Sequence, residues 1–165
     1  MKSARIAFSM MLLLAATTAM AQTPAQKSFD QLKLLAGMWE GKNTEGIAIK
    51  VQFRQTAGGS ALMSETLGEG PENMVTMFHL DGPNRLMMTH YCGAGNQPRM
   101  AATVSADGKT FMFDFIDGTN LSGPADGHMQ RLVITMLNAN HHTEDWTFLD
   151  HGKEMKQFFD LERKM

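Results

Sequence analysis

The chain has 165 residues, 43% hydrophobic and 19% charged, a make-up suited to one globular domain with a packed core. Its 15 Lys and Arg against 17 Asp and Glu give a formal net charge of −2. That balance argues against nucleic acid or an anionic membrane as the main partner, since both call for a basic surface.

The first residues read as a secretory leader. Lys2 and Arg5 form a positive start, Ile6 to Ala16 is an apolar run broken only by Ser9, and Ala19-Met20-Ala21 is a small-x-small cleavage site. The run falls well short of the roughly 20 residues that span a bilayer. Residues 1–21 are therefore expected to be a signal peptide and 22–165 a single domain, periplasmic or secreted, with no membrane insertion after cleavage. Losing Lys2 and Arg5 takes the mature net charge to −4. Cys92 is the only cysteine, so no internal disulfide can form. It is either a small buried residue or a free thiol able to pair between chains.

Ser28-Phe29-Asp30-Gln31 has the S-x-x-Q pattern of a helix capping box. Phe29, Leu32 and Leu35 then repeat at helical spacing, and Gly37 can end the helix. So short a helix is unstable alone and must lie on an apolar surface. From Trp39 onward, turn signals recur at short intervals, among them Gly58-Gly59, Asp81-Gly82-Pro83-Asn84, Asp107-Gly108 and His151-Gly152. Turns spaced this closely between short apolar runs signal an all-β protein. Ten strands are expected: 39–44, 47–57, 60–67, 72–81, 85–92, 98–106, 110–117, 128–137, 141–149 and 153–163. Closing such a meander removes its exposed edges. The predicted fold is thus all-β, a single antiparallel up-and-down barrel with a short N-terminal helix closing one end.

Alternation assigns the inner wall. Phe111, Phe113 and Phe115 share one face, as do His128, Gln130, Leu132, Ile134 and Met136. His142, Glu144, Trp146 and Phe148, then Met155, Gln157, Phe159, Leu161 and Arg163, continue it, with Arg131, Thr147, Lys156 and Asp160 among the outward residues. If Asp81 pairs with Asn84, then Val75 faces His90, Met77 faces Met88 and His79 faces Leu86 on one hairpin face. Polar groups among aromatics and flexible Met side chains are the make-up of a small-molecule pocket. The candidate ligand-binding residues are Met77, Met88, His90, Phe113, His128, Glu144 and Trp146.

Gly37-Met38-Trp39 matches the G-x-W signature of lipocalin-type (calycin) barrels, and Arg163 on the last strand matches the late Arg of that superfamily. The resemblance implies that Trp39 plugs one barrel end and that Arg163 packs over its ring, a cation–π contact. The T-D-Y motif and the usual disulfide of lipocalins are absent. The mature chain more closely resembles a family of bacterial secreted, calycin-like proteins of unknown function, through Leu35-Ala36-Gly37-Met38-Trp39-Glu40-Gly41, Thr89-His90-Tyr91-Cys92, Phe113-Asp114-Phe115 and Thr143-Glu144-Asp145-Trp146-Thr147-Phe148. It is similar in outline to ten-stranded nitrobindin-type haem barrels, without a matching haem-ligand motif.

These features favour an exported carrier or sensor of a small apolar ligand, with no cofactor and no metal implied. Zinc-type spacings and the common catalytic fingerprints are absent. The alternatives are a barrel enzyme of isomerase or cyclase type using Glu144 and a His as acid and base, a haem- or metal-binding barrel, or a solid barrel that acts by surface contacts. Oligomeric state is left open.

Overall fold

A computed structural model describes residues 21–68, 73–123 and 125–164. Apart from Ala21, the expected leader lies outside them. Helix α1 (Pro24–Leu32) runs into a single 3-10 turn (Lys33–Leu35). Ten strands follow: β1 (Gly37–Lys42), β2 (Ala48–Thr56), β3 (Ala61–Thr66), β4 (Val75–Asp81), β5 (Arg85–Tyr91), β6 (Gln97–Val104), β7 (Thr110–Thr119), β8 (His128–Asn138), β9 (His141–Asp150) and β10 (Lys153–Arg163). Each pairs antiparallel with the next, and β1 closes on β10 through Trp39 opposite Arg163 and Gly41 opposite Leu161. The all-β, closed ten-strand architecture is the one expected, and each expected strand lies within a few residues of an observed one.

The helix starts earlier than the capping box at Ser28 suggests. Thr23 is the N-cap, its Oγ1 accepting from the Gln26 N–H at 3.2 Å, and Pro24 follows it. Proline lacks an N–H and has its φ already set for the first helical position, so Thr-Pro nucleates the helix and Ser28 falls inside it. The expected apolar stripe does its work: Phe29, Leu32 and Leu35 are all buried in the core.

Trp39 stoppers the end that α1 covers. Its indole N–H donates to the Leu35 carbonyl at 2.7 Å, and the Arg163 guanidinium stands 4.3 Å from the ring centroid. Arg163 also donates to the carbonyls of Ala36 (2.7 Å), Leu34 (2.8 Å) and Ala139 (3.1 Å). One side chain thereby ties the post-helix turn, the β8–β9 turn and the plug together. Gly37, at φ 138°, leaves room for it: a Cβ there would meet Arg163 Nη1 at 2.6 Å.

The outer face is mostly polar, with ion pairs such as Arg131–Asp114 and Arg99–Asp117 across neighbouring strands. Thr147 departs from the expected solvent exposure and is buried. Its cross-strand neighbours are Arg131 and Lys156. Among the described residues no helix is long and apolar enough to cross a membrane.

Candidate functional site

The inner wall of β9 carries the site. His142, Glu144 and Trp146 alternate inward, and their partners on β10 are Leu161, Phe159 and Gln157. Each two-residue step climbs about 6.6 Å along the strand, away from the helix-covered end. Successive side chains touch. His142 packs edge-on to Trp39, with ring centroids 4.2 Å apart, and Phe53 closes its other side at 5.7 Å. His142 Nε2 lies 3.2 Å from Glu144 Oε1, and the Trp146 indole N–H donates to Glu144 Oε2 at 2.9 Å. The Trp146 ring then meets His90 of β5, centroids 4.9 Å apart, and His90 Nδ1 is 2.8 Å from Thr76 Oγ1 on β4.

A continuous spine therefore runs from Arg163 and Trp39 through His142, Glu144, Trp146 and His90 to Thr76. Around it stand Met88, Met100, Phe78, Phe113 and Leu132, all fully buried. Glu144 is 2% exposed, so its carboxyl group depends on the two hydrogen bonds it receives or shares. Burial depresses the His90 pKa to about 4, leaving the ring neutral at ordinary pH. Among the described residues, two nitrogens on the spine have no partner, His142 Nδ1 and His90 Nε2, and Gln157 Oε1 beside Trp146 is likewise unpaired.

Met88, His90, Phe113, Glu144 and Trp146 thus face the interior, as expected. Met77 does not. The observed β4–β5 register pairs Thr76 with His90, Phe78 with Met88 and Leu80 with Leu86, one residue off the expected pairing. Thr76 and Phe78 point inward, while Met77 and His79 lie on the outer face; Met77 is not a wall residue. Pro83 excludes a two-residue type I′ turn, which needs positive φ at both central positions. The loop takes Gly82-Pro83-Asn84 instead, with Gly82 at φ 67° and Asp81 opposite Arg85.

His128 is inside, but both of its nitrogens are committed to the protein. Nδ1 lies 2.7 Å from the Asp126 carbonyl and Nε2 lies 3.1 Å from Gln130 Oε1, while the ring packs tilted against Phe115 with centroids 4.2 Å apart. It is a wall residue with no free nitrogen. Gln130 leaves the expected inward series, because the ladder steps directly from Met129–Phe148 to Arg131–Thr147 and leaves it unpaired in a bulge. Thr76 and His142 were missed as site residues. Pro83 in the β4–β5 loop is the sequence signal for the first, and the face shared with Glu144 marks the second.

Cys92 is free and half-buried at the start of the β5–β6 loop, where burial pushes its thiol pKa up. Among the described residues no three His, Cys, Asp or Glu side chains converge as a metal-holding set.

No protein-family model and no curated protein matches this chain. The fold is similar to that in the crystal structure of Rv2717c from M. tuberculosis, with a TM-score of 0.56 and 15% identity over 87% of this chain and 99% of that one. At that identity the likeness concerns the fold alone.

Proposed function

We propose that this chain is an exported binding protein that holds a small, mostly apolar molecule inside its barrel. The observation that carries the reading is the Glu144 carboxyl group, held by Trp146 and His142 in a wall made mostly of aromatic, methionine and aliphatic side chains. An apolar enclosure with a few convergent polar groups is how small-molecule sites are built. A purely structural core gains nothing from a carboxyl that is costly to bury. Export rests on the leader pattern of residues 1–21.

Native mass spectrometry of protein purified without detergent tests both parts. The expected mass begins at Gln22 and carries an adduct that denaturation releases. Trp146 fluorescence should then respond saturably to apolar probes, and the response should vanish in Trp146→Phe. A bare protein mass together with an unresponsive Trp146 would refute the reading.

The His142–Glu144 contact favours one other reading, acid–base catalysis. Its mark would be chemical conversion of the recovered ligand that stops in Glu144→Gln. His142 is fully buried, packed edge-on against Trp39 and Phe53 at the plugged end of the barrel.

A further inference from the structure

We propose that the cleft between α1 and the tip of the β6–β7 hairpin binds single-chain alkyl anions of the fatty carboxylate type. The charged head sits between Lys27 and Lys109, and the chain lies on Leu86, Ala102 and Val104. This site is at the helix-covered end, outside the barrel interior, and does not rest on the binding reading above.

Two stripes on α1 do different work. Ala25, Phe29 and Leu32 are buried against the barrel. Pro24, Lys27, Ser28 and Gln31 recur at helical spacing on a second face, which lines a cleft of about 620 Å³. That is a volume suited to a small molecule. The Ser105–Lys109 turn supplies the opposite wall. The helix packs on β4 and β5. On β6, Ala102 and Val104 stand opposite Phe113 and Phe111 and share their inward face, yet both are small and only partly buried. With Leu86 they form an apolar floor beneath the gap.

Charge selects the head group. Lys27, Lys109 and Asp107 are the charged residues lining the cleft. Asp107 is met by its own hairpin, its Oδ1 accepting from the Ser105 hydroxyl at 2.5 Å and from the Lys109 N–H at 3.0 Å. Among the described residues, Lys27 and Lys109 form no ion pair. The lining is thus net positive on a chain of formal charge −2, and an anion is its complement. An alkyl chain on the floor leaves water at the same time. A second cleft, of about 610 Å³ across α1, shares Gln31 and Lys109. Its other cation, Arg163, is already spent on three carbonyls and the Trp39 ring, so the first cleft is the better anion site.

Three ten-carbon amphiphiles test this on the native protein at pH 7.5: decanoate, 1-decanol and decyltrimethylammonium. Backbone amide shifts in a nuclear magnetic resonance titration give both place and affinity. Decanoate should bind about tenfold tighter than 1-decanol, the effect of two solvent-facing ion pairs, with the ammonium probe weakest. The shifts should centre on Lys27, Val104 and Lys109, and salt at about 0.5 M should close the gap. Both lysines are exposed, so the double variant Lys27→Glu, Lys109→Glu should fold normally and invert the order of the three probes. Decanoate shifts confined to interior residues such as His90 and Trp146 would overturn this inference while leaving the interior reading standing. Equal affinities for the three heads, an unchanged order in the double variant, or no binding at the cleft would overturn it as well.

Discussion

Near the end of the barrel opposite α1, His128 has both ring nitrogens tied to the protein, whereas among the described residues His90 has one tied and the other without a partner. For His90 the energetic consequence can be read from pH. Its pKa is about 4 in the folded chain against 6.5 for an unburied imidazole. Between those values the unfolded chain binds the extra proton, so the stabilisation from a neutral His90 is complete above pH 6.5. It is lost as the pH falls toward 4, by up to about 3 kcal/mol. Exposed carboxylates such as Asp81 and Asp117, whose pKa values Arg85 and Arg99 hold below 3.8, lose their contribution only at still lower pH. Urea midpoints of the native chain should therefore drop between pH 7 and 4.5, and those of His90→Gln should stay nearly level over that window. Parallel curves for the two proteins would rule out the buried neutral imidazole as the cause. Glu144 and Trp146 were legible from strand alternation alone, because β9 runs without irregularity through that stretch. Met77 and Gln130 were not: each lies beside a departure from strict two-residue pairing, one at the Pro83 loop and the other at the bulge after Met129.

At the closing seam, the β1–β10 pairing leaves no room for a side chain at Gly41. Gly41 lies opposite Leu161, and a Cβ at Gly41 would fall 1.7 Å from the Asp160 carbonyl oxygen, with Leu161 Cα only 3.1 Å away. The obstacle is backbone, so no side-chain adjustment relieves it. Gly41→Ala should force the two strands apart and cost about 3 kcal/mol. Gly123→Ala, where a Cβ meets nothing within 4 Å, should stay within about 0.5 kcal/mol of the native chain. Chemical denaturation of the two variants side by side checks this, and equal stabilities would contradict it. The G-x-W pattern marked Trp39 and Arg163 in the sequence as partners. What it could not give was the extent of Arg163's reach over three carbonyls, because those contacts come from turns that only the closed barrel brings together. The start of α1 was misread for a simpler reason: Ser28 and Thr23 both satisfy cap chemistry, and only the proline after Thr23 separates them.

For the molecule as a whole, the ring of strands has no privileged first member, since each strand lies between two antiparallel neighbours. A circular permutant that opens the His151-Gly152 turn and joins Lys164 to Thr23 by a flexible linker of about 15 residues, reaching about 20 Å, should keep the barrel. Near-ultraviolet circular dichroism and a single cooperative unfolding transition would show it; loss of either would mean that the order of strands matters beyond their pairing. The architecture was readable because turn residues punctuate nearly every strand at a regular interval. Hydrophobic pattern alone would not have distinguished a closed ring from a two-sheet sandwich. The closing contact between β1 and β10 joins nearly the most distant parts of the chain. During synthesis, β1 must wait without its second neighbour until the final segment emerges. Closure of the ring is thus timed by the last strand to arrive.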